Sequence, residues 1–165
     1  MTTRILLLAD THVPKRAKRL PDAVLRAVDD ADLVVHAGDW VDEATLDLLE
    51  ARAAVLQGVF GNNDGEGLRA RLPEVARFTV EDLEVAVVHE TGPSLRREAR
   101  MDEEYPGIDL LVFGHSHIPW DTLAPSGMRL LNPGSPTDRR RQSVCTMMWA
   151  IVDRAVVDVT LVSLP

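Results

Sequence analysis

The chain has a single cysteine, Cys145. One thiol excludes an internal disulfide framework and any thiolate-rich zinc site, so a metal held here uses oxygen and nitrogen donors, which suit harder cations. No apolar run approaches the roughly 20 residues that span a bilayer. Met1–Ala9 shows neither the long apolar region nor the cleavage site of a secretory signal. A cytoplasmic protein without a membrane partner is therefore expected. Positive charge is also scarce: 18 Lys and Arg against 26 Asp and Glu give a formal charge of −8. Proteins that track long nucleic acid present a basic face that displaces counterions, so that class is disfavoured, whereas a small anionic substrate is not. No repeat, low-complexity tract or linker interrupts the 165 residues, 45% of them hydrophobic. Residues 1–165 are read as one domain with a substantial core, and self-association is left open.

What the chain does contain is a recurring junction. Leu110-Leu111-Val112-Phe113 reads as a buried strand that stops at Gly114-His115-Ser116-His117. The glycine frees the backbone to turn, and the alternate spacing lets both imidazoles converge on one point. Taken alone, this is compatible with two surface-loop histidines. The same arrangement recurs upstream, however. Ile5–Ala9 runs into Asp10 and His12, Leu33–Val35 leads to Gly38-Asp39, Val55-Leu56 precedes Gly61-Asn62-Asn63-Asp64, and Val85–Val88 ends at His89.

The first half alternates strand and helix: strands at 3–9, 33–36 and 53–57, helices at 21–30 and 42–52, and a short helical segment ending near Leu72. That order predicts a parallel sheet covered by helices, with ligand sites off the carboxyl ends of the strands. The second half is richer in strands. It reads as a hairpin of 78–80 with 85–89, a polar helix over 94–104 capped by Ser94, the Leu110 strand, a hairpin around 124–127, and strands at 128–131, 144–152 and 156–162. One parallel sheet does not need so many strands, so an α/β fold of two stacked mixed sheets with helices outside is expected.

In this order, Asp10-x-His12, Gly38-Asp39, Gly61-Asn62-x-Asp64, His89 and Gly114-His115-x-His117 resemble the signature of the calcineurin-like metallophosphoesterases. The short length and Asn132-Pro133-Gly134-Ser135 further resemble the small bacterial and archaeal phosphodiesterase branch. The resemblance implies a four-layer αββα sandwich and a phosphodiesterase that cleaves a small anionic phosphate ester through attack of a metal-bridging hydroxide. Two divalent cations about 3.5 to 4 Å apart clamp the phosphoryl centre in such sites. Asp10, His12, Asp39 and His117 would hold the first and Asp39, Asn62, His89 and His115 the second, with Asp39 as bridge and Asp39, Asn62 and His89 as the catalytic core. Manganese is implied first, with nickel, iron or zinc compatible with the same donors. Asp64 is assigned to orienting a ligand rather than binding metal. Two other classes compete: a non-catalytic interaction scaffold resembling the retromer subunit of this fold, and a structural metal protein with closed coordination. The complete set of seven ligands weighs against the scaffold, and the bridging carboxylate with an amide ligand against the closed site.

Two positions depart from the resemblance. Many relatives carry a histidine able to protonate the leaving group where this chain has Asn63, and an amide cannot act as a general acid. Glu90 stands where glycine usually follows the ligand histidine, placing a carboxylate next to the second cation. Lys15, Arg16, Lys18 and Arg19 follow one ligand loop and Arg139, Arg140 and Arg141 follow the Asn132–Ser135 turn, so both clusters are expected at the metal rim. Trp40 and Trp120 are candidate stacking faces for a base or aryl group. His36 is read as a packed histidine, and Asn132–Ser135 as a tight turn with a supporting role near the metals.

Overall fold

The computed structural model describes Met1–Pro165. Its elements are β1 (Thr2–Leu8), α1 (Asp22–Asp30), β2 (Leu33–His36), α2 (Glu43–Arg52), β3 (Leu56–Gly58), α3 (Glu66–Arg71), β4 (Val75–Val80), β5 (Leu83–Val88), α4 (Arg97–Glu104), β6 (Leu110–Val112), β7 (Trp120–Leu123), β8 (Arg129–Asn132), β9 (Cys145–Asp153) and β10 (Val156–Leu164). They form two five-stranded sheets of order β10-β9-β1-β2-β3 and β4-β5-β6-β8-β7.

The apolar runs of the sequence are continuous because the central strands are buried on both faces. In β1, Ile5 and Leu7 point between the sheets, where they meet Val85, Val87, Leu110 and Val112. Leu6 and Leu8 point outward onto Val24, Ala27 and Val28 of α1 and Leu46 and Leu49 of α2. Across the second sheet, Ala86 and Leu111 face Met101 of α4. The layers are thus helix, sheet, sheet, helix, as expected for the αββα sandwich.

Direction places the loops. β1, β2 and β3 run parallel in the first sheet, and β5, β6 and β8 run parallel in the second. Their carboxyl ends come together: Asp10 N–H donates to Gly38 O at 2.9 Å, His12 N–H to Asp39 O at 3.1 Å, and Gly114 N–H to His89 O at 3.0 Å. The remaining strands are antiparallel additions, with β9 beside β1 and β10 outside it.

Several boundaries differ from the sequence expectation. The helix expected from 94 begins at Arg97, preceded by Arg96 at φ 52° with no side-chain cap. Ser94 contributes its carbonyl to Arg97 N–H instead of its hydroxyl. The strand expected at 53–57 is Leu56–Gly58, because α2 runs to Arg52 with Ala53 as its cap and the chain must bend before it can pair with β2. β4 starts at Val75, since its pairing with β5 runs unbroken from Val75 opposite Val88 to Val80 opposite Leu83.

Candidate metal centre

The structure brings all seven candidate donors together. Asp39 Oδ2 lies 3.3 Å from His12 Nε2 and 3.4 Å from His89 Nε2. Asp10 Oδ1 lies 3.8 Å from His12 Nε2, 3.7 Å from His117 Nε2 and 3.9 Å from His89 Nε2. Asn62 Oδ1 extends the group outward, 2.9 Å from His89 Nε2 and 3.1 Å from His115 Nδ1. Asp10, His12, Asp39, His89 and His117 are buried, Asn62 is exposed, and His115 is partly so.

Second contacts aim the rings. His89 Nδ1–H donates to Ala37 O at 2.7 Å and His117 Nδ1–H to Asp138 O at 2.6 Å. With those nitrogens protonated, each Nε2 is left facing the carboxylate cluster, and in the neutral ring its lone pair is available to a cation there. Asp10 Oδ2 accepts His115 N–H at 2.9 Å. Asp10 Oδ1, His12 Nε2 and His117 Nε2 are buried with no hydrogen-bond partner. Orphaned buried polar atoms cost about 1–3 kcal/mol each. Three of them facing one point, one carboxylate oxygen and two imidazole nitrogens, are the donor set of a divalent cation, so the residues present fit the metal that the motifs imply.

The backbone here is unusual for the same reason. Asp10, His12, Asp39, His115 and His117 all have positive φ, between 45° and 75°. Side-chain-bearing residues are uncommon in that region, and such strain persists only where surrounding contacts hold it. One clamp is Asp64. Its buried carboxylate accepts Asp39 N–H at 3.0 Å and Gly61 N–H at 2.7 Å through Oδ2, and Val41 N–H at 2.7 Å through Oδ1. It therefore orients Asp39 through the main chain. Close approach explains two glycines: a Cβ on Gly61 would stand 2.2 Å from Asp39 Oδ1, and one on Gly38, at φ 97°, would stand 2.7 Å from His89 Nδ1.

Electrostatics follow from crowding two carboxylates among the histidines. Burial opposes charge on His12, but the Asp10 and Asp39 carboxylates outweigh it and raise the ring to about 9. His89 is raised despite its burial, chiefly by Asp39 and Asp10. Asp39 would be pushed up by burial, yet the His12 and His89 rings close beside it hold it well below the usual carboxylate range. His117 is lowered by burial, which Asp10 only partly offsets.

Residues assigned around the donors take varied places. Asn63 grips Asp39, with its N–H on Oδ1 at 2.9 Å and its Nδ2 on Oδ2 at 2.7 Å. Glu90 Oε1 lies 3.6 Å from His115 Nε2, on the outer side of the centre. His36 is packed, as expected: it stacks on Trp40 at 3.6 Å, accepts Gly38 N–H, and contacts Thr11 Oγ1 at 3.1 Å. Burial, then the His89 charge, lowers it to about 3, so it is neutral.

Trp40 offers no rim platform, whereas Trp120 lines a cavity with Pro119, Met148, Val159 and Leu161. Trp40 is fully buried, its indole N–H on Val59 O at 2.9 Å. Trp120 is half-buried, covered by the Arg97 guanidinium 4.5 Å from its ring, and bonded to Thr122. Trp40 lies where the chain turns into the core, which a position after a motif does not reveal. Of the first basic cluster, Arg16 pairs with Asp138 and Arg19 with Asp22, leaving Lys15 and Lys18 exposed. Arg139 and Arg140 line a cavity with Ser116.

The Asn132–Ser135 turn ties the loops together. Asn132 Nδ2 donates to Gly114 O at 3.1 Å and Ser135 Oγ to Asp10 O at 2.7 Å. Sequence reasoning missed Thr137, whose hydroxyl bonds Thr11 O at 2.5 Å, and Asp138, whose carbonyl holds His117. A main-chain carbonyl carries no residue signature; nearness to Asn132–Ser135 was the one available signal.

Comparison with known proteins agrees with this arrangement. Residues 3–155 match the calcineurin-like phosphoesterase superfamily domain. A probable metallophosphoesterase of Methanothermobacter thermautotrophicus is 35% identical over 150 residues, covering 88% of this chain and 84% of that protein. Another, from Methanocaldococcus jannaschii, is 33% identical, covering 93% and 78%. The solution structure of a Thermotoga maritima protein superposes with a TM-score of 0.78 at 32% identity, covering 98% of this chain and 99% of that one. Wild-type Vps29 of Entamoeba histolytica, solved with zinc, has a TM-score of 0.77 at 21% identity, covering 97% and 98%, a likeness of fold alone. With the motifs in order, the αββα layers and the match along nearly its whole length, the chain belongs to the calcineurin-like phosphoesterase superfamily.

Proposed function

We propose that this chain, as one domain, is a phosphodiesterase that works with two divalent cations, manganese first among them. Asp10, His12, Asp39 and His117 would hold one cation, and Asp39, Asn62, His89 and His115 the other. The observation that carries this reading is the Asp39 Oδ2 atom, which faces His12 on one side and His89 on the other at 3.3 and 3.4 Å. When bound, the cations supply charge stabilisation at the phosphoryl centre and an acidified water for in-line attack. The chain supplies orientation: Asn63 fixes the Asp39 carboxylate, Ala37 and Asp138 fix the two rings, and Asp64 fixes the loops. The test is hydrolysis of bis(p-nitrophenyl) phosphate after chelation and after manganese is restored. Turnover should vanish and return; metal binding without turnover would favour the scaffold reading.

Substrate preference follows from Asn63 and Glu90. Asn63 spends its amide on Asp39 and cannot protonate a leaving group. Glu90 adds negative charge beside His115, which penalises a dianionic monoester more than a monoanionic diester. Across diesters of graded leaving-group pKa, kcat/KM should rise steeply as the leaving group becomes more acidic, and matched monoesters should be slower. A flat dependence, with chemistry shown to be rate-limiting, would mean that another residue supplies the proton.

Metal loading should also release protons. His12, raised from 6.5 to about 9, is protonated in the metal-free site at neutral pH. A cation must displace that proton, so apparent affinity should fall about tenfold for each pH unit lowered below about 9, per proton displaced. The metal-free chain behaves oppositely: the stability that charged His12 contributes is full below 6.5 and lost as pH rises through about 9. Calorimetry at pH 7.5 in buffers of different ionisation enthalpy should show at least one proton released. No release would place the proton elsewhere.

A further inference from the structure

The candidate centre is flanked by two openings that differ in charge. One, of about 180 Å³, is rimmed by Glu74, Glu90 and Arg69 together with Asn62 and His89, and Arg69 donates to the Asp64 and Gly61 carbonyls. The other, of about 340 Å³, is lined by Ser116, Ile118, Arg139, Arg140, Arg141 and Gln142. It contains no carboxylate. Ser116 lies between His115 and His117, and Arg140 Nη1 reaches the His115 carbonyl at 3.5 Å, so this cavity adjoins the donors.

Three consecutive arginines concentrate positive charge at one place in a chain of formal charge −8. Some arginines find carboxylates, as Arg52 does with Asp29, Arg71 with Glu43, Asp47 and Glu50, and Arg129 with Asp121; others, such as Arg69 and Arg100, spend their donors on main-chain carbonyls, so what sets Arg139, Arg140 and Arg141 apart is that all three line one cavity. Arg139 donates only to the Gln142 carbonyl, a bond within its own turn that leaves most of its donors free. All three side chains are exposed. Guanidinium groups present planar forks to phosphate oxygens, and several grouped together attract a dianion.

We propose that this cavity receives a second phosphate of the substrate, a monoester group carried a short distance from the scissile diester. The inference rests on the phosphodiesterase reading and names its substrate class: a small molecule with two phosphoryl groups, one cleaved and one held. The arginine cavity takes the retained phosphate, Ile118 offers an apolar wall to the spacer, and the Glu90 side receives the leaving portion.

The experiment compares the p-nitrophenyl ester of thymidine 5′-phosphate with the same ester carrying a 3′-phosphate. In the parent, kcat/KM should favour the 3′-phosphorylated ester about tenfold or more, the ratio that one charge-assisted hydrogen bond to a phosphate supports. The preference should shrink as salt is raised. In the Arg139→Ala/Arg141→Ala variant the ratio should fall to about one. A second readout needs no turnover: inorganic phosphate titrated into the metal-free protein should shift the amide resonances of Arg139–Gln142 in the parent and not in the variant. Hydrolysis of both esters at equal kcat/KM, with no amide shifts, overturns the cavity's assignment and leaves the phosphodiesterase reading standing. Amide shifts without hydrolysis of either ester under any metal overturn the phosphodiesterase reading and recast the cavity as a site for free phosphate, which overturns the substrate assignment as well.

Discussion

Asp39→Ala is expected to remove metal-dependent hydrolysis, with a loss beyond the roughly 10–100-fold typical of changes to groups that only support a ligand. The reason is position. Oδ2 faces His12 and His89 at once, so one substitution withdraws a donor from both proposed cations. It also strips Asn63 of both its partners and removes a charge that raises His12. Bound manganese should drop from two per chain to one or none. His115→Ala is the comparison, because His115 is partly exposed and its ring meets the other donors through Asn62, while its main-chain bond to Asp10 survives the substitution, so its loss should be smaller. Asp39→Asn keeps the shape and one acceptor, and guards against a variant that merely fails to fold. Near-parent turnover and two bound ions in either Asp39 variant would overturn the two-metal reading.

The junctions were legible in the sequence because a parallel strand buried on both faces leaves a solid apolar run, and its end is marked by the first polar residue. Ile5–Ala9 before Asp10 and Val85–Val88 before His89 show this directly. The layers followed from counting strands. What stayed hidden depended on contacts between distant segments. Trp40 and Trp120 follow ligand motifs just as a rim residue would, yet one is drawn beneath the β2 loop by His36 and the other under Arg97. Ser94 looks like a helix cap, but the left-handed Arg96 resets where α4 begins. Asp138 supports His117 through a carbonyl, a group every residue has.

Asp64 shows how a residue can govern the site without approaching a metal. Its position after Gly61-Asn62 suggested an orienting group, and the structure gives that role a physical form: one carboxylate, 3% exposed, accepting three main-chain N–H groups from the β2 and β3 loops. Asp64→Ala leaves those donors without partners. At about 1–3 kcal/mol for each orphaned group, the metal-free chain should lose roughly 3 kcal/mol or more of stability. Asp64→Asn, which retains one acceptor oxygen, should lose less. Urea unfolding with chelator present measures this, and a change within about 0.5 kcal/mol would mean that water replaces the carboxylate and the clamp is dispensable. The same substitution frees Asp39 and Val41 from their left-handed conformations, at φ 61° and 81°. Manganese affinity should therefore fall about 10–100-fold even where the variant is folded, because the proposed bridge is no longer held in place. Parent-like affinity in a destabilised Asp64→Ala chain would separate the two roles and confine Asp64 to stability.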